Sequence, residues 1–77
     1  MIYELWETET GNLIGTYETE QDALSLVRDA IQSYGAQYVD SFLLGCEDEE
    51  GYSTLIAEGH DLAERALSEK APRGGAA

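Results

Sequence analysis

One cysteine, one histidine and one proline are all that this chain offers of three residue types on which many small proteins depend. A lone Cys46 closes no disulfide within the chain, and one Cys with one His falls short of the three or four ligands that zinc takes. Basic residues are scarce as well: four Lys and Arg face sixteen Asp and Glu, a formal charge of −12 over 77 residues. Such a balance repels phosphate backbones, so no nucleic-acid partner is expected. Apolar runs are short, Phe42-Leu43-Leu44 being as long as any, against about 20 residues for a membrane-spanning helix, so no membrane role is expected. Met1-Ile2-Tyr3-Glu4 has neither the basic start nor the apolar stretch of a secretion signal, and with a single thiol the expected compartment is the reducing cytoplasm.

What remains is a foldable composition. Hydrophobic residues make up 43% of the chain, ordinary for a globular domain and too many for an acidic disordered one. The length is near the lower limit at which one apolar core outweighs chain entropy without metal or disulfide support. All sixteen acids lie in residues 1–69 with only Arg28 and Arg65, a balance of −14, while Lys70 and Arg73 put +2 on the remainder. Residues 1–69 therefore read as a single acidic domain. Residues 70–77, without apolar anchors, read as a disordered tail.

Within the domain the pattern predicts the order ββαββα. Ile2 to Glu7 and Leu13 to Tyr17 read as strands joined by Thr8-Glu9-Thr10-Gly11-Asn12, with Gly11 at positive φ. Thr19 precedes Glu20-Gln21-Asp22 as a helix cap, and Ala23, Leu24, Val27, Ala30, Ile31 and Tyr34 form one apolar stripe, with Gly35 as a left-handed C-cap. After a connection over Ala36 to Asp40, a second hairpin runs from Ser41 to Glu47, through Asp48-Glu49-Glu50-Gly51, to Tyr52 through Glu58. A short helix then carries Leu62, Ala63, Ala66 and Leu67 and ends near Glu69. The two acidic turns correspond at an offset of about forty residues. The fold class expected is α+β: a four-stranded, mostly antiparallel sheet from two hairpins, with a long helix packed on one face and a short C-terminal helix.

These strands do not alternate cleanly. Tyr3 and Leu5 oppose Ile2 and Trp6, Leu13 and Tyr17 oppose Ile14, and Phe42, Leu43 and Leu44 run together, as do Leu55 and Ile56. Both sheet faces therefore ask for cover, and the weakly apolar second helix is a poor candidate for the second face. Another copy of the chain or a protein partner would complete it.

Chemical motifs are wanting. The loop Glu47-Asp48-Glu49-Glu50-Gly51 has the carboxylates of a calcium loop but not its spacing, because Cys46 and Ala57 would fall on ligand positions. Cys46 reads as a small hydrophobe in a strand and His60 as a surface residue near a helix start. Gly15 and Gly45, inside strands, mark bulges or close backbone packing rather than a phosphate loop. No catalytic residue, metal or cofactor is expected.

The expected function is a non-catalytic, acidic protein-binding module, antitoxin-like or inhibitor-like in size and charge, that docks on a basic protein. Trp6, Tyr17 and Tyr52 are the candidate aromatic contacts, and Glu47, Asp48, Glu49 and Glu50 the candidate charges. The alternative is a small ligand-binding or regulatory domain, a homodimer formed through an apolar sheet face.

Overall fold

The computed structural model describes residues 1–68. Its elements follow the predicted order: strands β1 (Ile2–Glu7) and β2 (Asn12–Tyr17), helix α1 (Glu20–Tyr34), a 3-10 turn over Ala36–Val39, strands β3 (Phe42–Glu47) and β4 (Ser53–Glu58), and helix α2 (Gly59–Ser68). Glu69 and the expected tail lie outside the described residues. The sheet order is β2-β1-β3-β4 with every neighbouring pair antiparallel. The first strands of the two hairpins therefore meet in the middle, and the second strands form the edges.

Local chemistry accounts for the boundaries. The Thr19 side chain accepts from the Asp22 amide at 3.1 Å, with Glu20 and Asp22 in the first turn where the helix dipole favours negative charge. Gly11 and Gly51 close the two hairpins at φ 76° and 91°, a region where only glycine is unstrained. Gly35 differs from expectation: at φ 96° and ψ 159° it is outside the left-handed helical region. Its amide still bonds the Ile31 carbonyl at 2.7 Å, and the connection expected over Ala36 to Asp40 holds the 3-10 turn.

Both helices lie on the same side of the sheet. Leu5, Leu24, Val27, Val39, Leu44 and Leu62 are the fully buried side chains, joined by Phe42 and by the alanines at 23, 57, 63 and 66. α1 packs over β1 and β2, while α2 packs on α1, β3, β4 and the 3-10 turn. The small side chains of Ala63 and Ala66 let α2 sit close to its neighbours. The thinnest dimension of the molecule is 17 Å, the depth of one sheet and one helical layer.

A bulge in each hairpin shifts the alternation of the two edge strands. The β1–β2 register slips so that Leu5 opposes Gly15 while Trp6 opposes Leu13, leaving Ile14 as the extra residue. In the second hairpin Leu44 opposes Ala57 and Gly45 opposes Leu55, so Ile56 is extra. Each bulge turns its isoleucine toward the helices: Ile14 lies near Leu26 and Ala30 of α1, and Ile56 packs against the core beside Asp61 and Arg65 of α2. One pairing expected from strict alternation is thereby corrected. Leu13 and Tyr17 do not share a face, because the extra residue reverses the side on which Leu13 emerges.

Glu7 ties the first hairpin to the second. Its carboxylate accepts from the Glu9 amide at 3.2 Å, from the Thr10 amide and hydroxyl at 2.9 and 2.6 Å, and from the Ser41 hydroxyl at 2.7 Å. The Thr8 amide and hydroxyl both donate to the Ser41 carbonyl. The Ser41 hydroxyl, and after it the Thr10 donors, hold the Glu7 carboxyl down to about 2 from its ordinary 4.5. Because the folded value is the lower one, this contribution to stability is complete above about pH 4.5 and is lost as the pH falls toward 2. An NMR titration of the Glu7 carboxyl carbon should give a midpoint near the lower value, and Ser41→Ala should move it upward. A midpoint unchanged in that variant would remove Ser41 as the main cause.

Candidate functional site

The side of the sheet away from the helices carries no covering layer among the described residues. Direct cross-strand partners share a face, so the register defines what this side presents. One row is Leu13, Trp6, Leu43 and Glu58, and the next is Thr16, Glu4, Gly45 and Leu55. A third holds Ile2, Glu47 and Ser53. Ile2, Leu13 and Leu55 are 41%, 46% and 55% exposed, while Trp6 and Leu43 are half-buried by their neighbours.

Gly45 gives this face its relief. It stands between Glu4 on β1 and Leu55 on β4 with no side chain of its own, and the depression so formed, about 330 Å³, is bounded by Trp6, Leu43 and Leu55. A methyl group at Gly45 would lie 3.4 Å from the Thr54 carbonyl oxygen and 3.9 Å from the Leu43 side chain, both ordinary contacts. The backbone there does not require glycine, so the hollow is not a by-product of strain.

Charge on this face is of one sign. Glu4, Glu47 and Glu58 interrupt and flank the apolar rows, and the two arginines of the described residues lie on the helical side. Arg65 pairs with Glu20 at 2.8 Å, and Arg28 donates to the Ala66 carbonyl at 3.4 Å.

The residues singled out in the sequence distribute unevenly over this geometry. Trp6 and Glu47 belong to the open face. Asp48, Glu49 and Glu50 form the adjoining β3–β4 turn beside Met1, and Tyr52, 70% exposed, follows them. Asp48 also sets that turn, since its carboxylate accepts from the Glu50 and Tyr52 amides, both at 2.9 Å. Tyr17 lies apart. It pairs with Tyr3 on the helical side, its hydroxyl lies 2.8 Å from where a side chain at Gly15 would begin, and burial pushes its phenol pKa up. Leu13, Leu43, Gly45, Leu55, Glu4 and Glu58 are among the members of the face that the sequence did not mark as a site. The adjacent pairs Leu43-Leu44 and Leu55-Ile56 were the available signal, but only register tells which member of each pair turns outward.

The remaining chemistry-bearing side chains are dispersed. Cys46 lies in β3 opposite Tyr3 and Thr54. His60 is exposed on α2, 3.0 Å from Glu64 one turn on. Among the described residues no group of three or more His, Cys, Asp or Glu is placed to hold a metal ion, and no helix is long and apolar enough to cross a membrane. No family model, curated protein or solved structure matches this chain.

Proposed function

We propose that this chain is a non-catalytic binding module that docks on a basic protein through the open face of its sheet. The observation that carries the reading is the combination on one surface of an uncovered apolar stripe, a hollow at Gly45 and carboxylates without a single basic side chain. The stripe supplies contact that strengthens when water leaves it, and Trp6 is the residue type that most often dominates such contacts. The carboxylates of the face and of the β3–β4 turn supply long-range attraction for a cationic partner and speed encounter. A second copy of the chain is the poorer occupant, because face-to-face pairing would bring Glu4, Glu47 and Glu58 against like charges in a contact that excludes water.

The test is affinity capture from the native host at low and high salt, comparing the natural chain with a variant carrying Leu13→Ser, Leu43→Ser and Leu55→Ser, alongside solution mass. The expected result is a basic protein retained by the natural chain, released by salt and not retained by the variant. A salt-insensitive doubling of mass with no retained protein would overturn the reading in favour of a homodimer. A further variant, Glu47→Ser with Glu49→Ser and Glu50→Ser, spares the structural Asp48. It should slow association several-fold at low salt and leave the dissociation rate nearly unchanged. An unchanged association rate would remove the turn from the interface field.

A further inference from the structure

On the opposite side of the molecule, where the C-terminal half of α1 passes over the first hairpin, there is a groove of about 420 Å³. That volume is in the range of pockets that enclose small ligands or anchoring side chains, about 300–1,000 Å³. Its apolar wall is made by Ile14, Leu26, Ala30 and Phe42, with Ile14 brought there by the bulge in β2 and left, like Leu26, more than a third exposed. One end is aromatic. Tyr34 and Tyr38 stand with ring centroids 4.5 Å apart and planes tilted by 30°, and Tyr38 meets Phe42 edge-on at 5.8 Å. Tyr34 and Tyr38 are 68% and 51% exposed. The acidic side is formed by Asp29 and Glu7, and no basic side chain lines the groove.

We infer that this groove is a docking site for an arginine side chain presented by a peptide segment flanked by aliphatic residues. The guanidinium is flat and weakly hydrated, so it stacks on the face of a tyrosine and keeps its donors for carboxylates at the same time. Asp29 has its oxygens available for the direct contact. Glu7 is already engaged by its four donors and adds a fixed negative charge beside it. The methylene stem and an adjacent aliphatic residue lie on Ile14 and Leu26, which otherwise face water, above the buried Phe42. A lysine fits less well, because its ammonium has no plane to stack. The site is separate from the open sheet face, so either can fail without the other.

The probe is a blocked pentapeptide of glycine, leucine, arginine, leucine and glycine, followed by amide NMR shifts on the full chain. Versions with lysine or citrulline in place of arginine, and Nα-acetylarginine amide as the free-ligand arm, complete the set. The expected shifts centre on residues 26–34 and on Tyr38, with affinity falling about tenfold for citrulline and in the Asp29→Asn variant. Tyr34→Ser, at an exposed position, should weaken the arginine peptide more than the lysine one. Equal binding of the citrulline and arginine peptides would overturn the inference. So would shifts centred on Trp6, Leu43 and Leu55, no shifts at millimolar peptide, or equal affinity for Nα-acetylarginine amide, which would show a site for the free cation alone.

Discussion

Replacing Leu24 by alanine should remove about 2–5 kcal/mol of stability, most of what a domain this small possesses. Leu24 is 1% exposed, in the α1 stripe that shares one core with Leu5 of β1 and Leu44 of β3. Truncation leaves a cavity that helix and sheet cannot both close on, and with one helical layer there is no further element to shift inward. Ile31 belongs to the same predicted stripe but is only partly buried at the margin of the core. Its alanine variant should therefore lose roughly half as much, in proportion to the apolar area withdrawn from water. Urea unfolding followed by circular dichroism separates the two: with slopes near 1 kcal/mol/M for so short a chain, Leu24→Ala should shift the midpoint by about 2 M or more. Equal losses at the two positions would mean that α1 is rotated about its axis, with Ile31 turned as far into the core as Leu24.

The second large effect concerns the open face. Trp6→Ala should weaken binding to the captured partner by at least about 2 kcal/mol, roughly thirtyfold. Packing contributes to that loss, since Trp6 stands between Leu13 and Leu43 in one cross-strand row and its removal disturbs the free protein too. Gly45→Val provides the complementary test. It extends a side chain into the hollow, removes no existing contact, and puts a strand-favouring residue where the first side-chain carbon meets only ordinary contacts. Unfolding midpoints should hold or rise in Gly45→Val while affinity measured by calorimetry drops at least tenfold. Natural affinity in that variant would show that the hollow is not filled by the partner, and would confine any contact to the rims of the face.

Much of this architecture is legible in the chain. Thr19 before an acidic first turn marks the start of α1, the glycines at 11 and 51 mark both hairpins, and the spacing from Ala23 to Tyr34 gives the helix its buried side. These signals are local, and each depends on a few consecutive residues. The site is less legible because it depends on register. Leu55 and Ile56 are chemically similar neighbours, and nothing between them says which one opposes Gly45. A bulge decides it, and a bulge is a property of two paired strands. Tyr17 shows the same limit from the other side: its composition suits a contact surface, yet the extra residue in β2 places it with Tyr3 on the helical side. The pairing of Glu7 with Ser41 across 34 positions likewise had no local signature.

The bulges have a further effect on the sheet's two outer strands. β2 and β4 each end the sheet, and an edge strand of regular pleat offers a free ladder of amides and carbonyls to any extended chain it meets. Ile14 and Ile56 break that ladder midway along each edge, so that neither edge offers a full straight length for strand addition. Edge-to-edge addition of further strands is thereby disfavoured at both ends of the sheet, which leaves its flat as the surface on which the proposed docking depends.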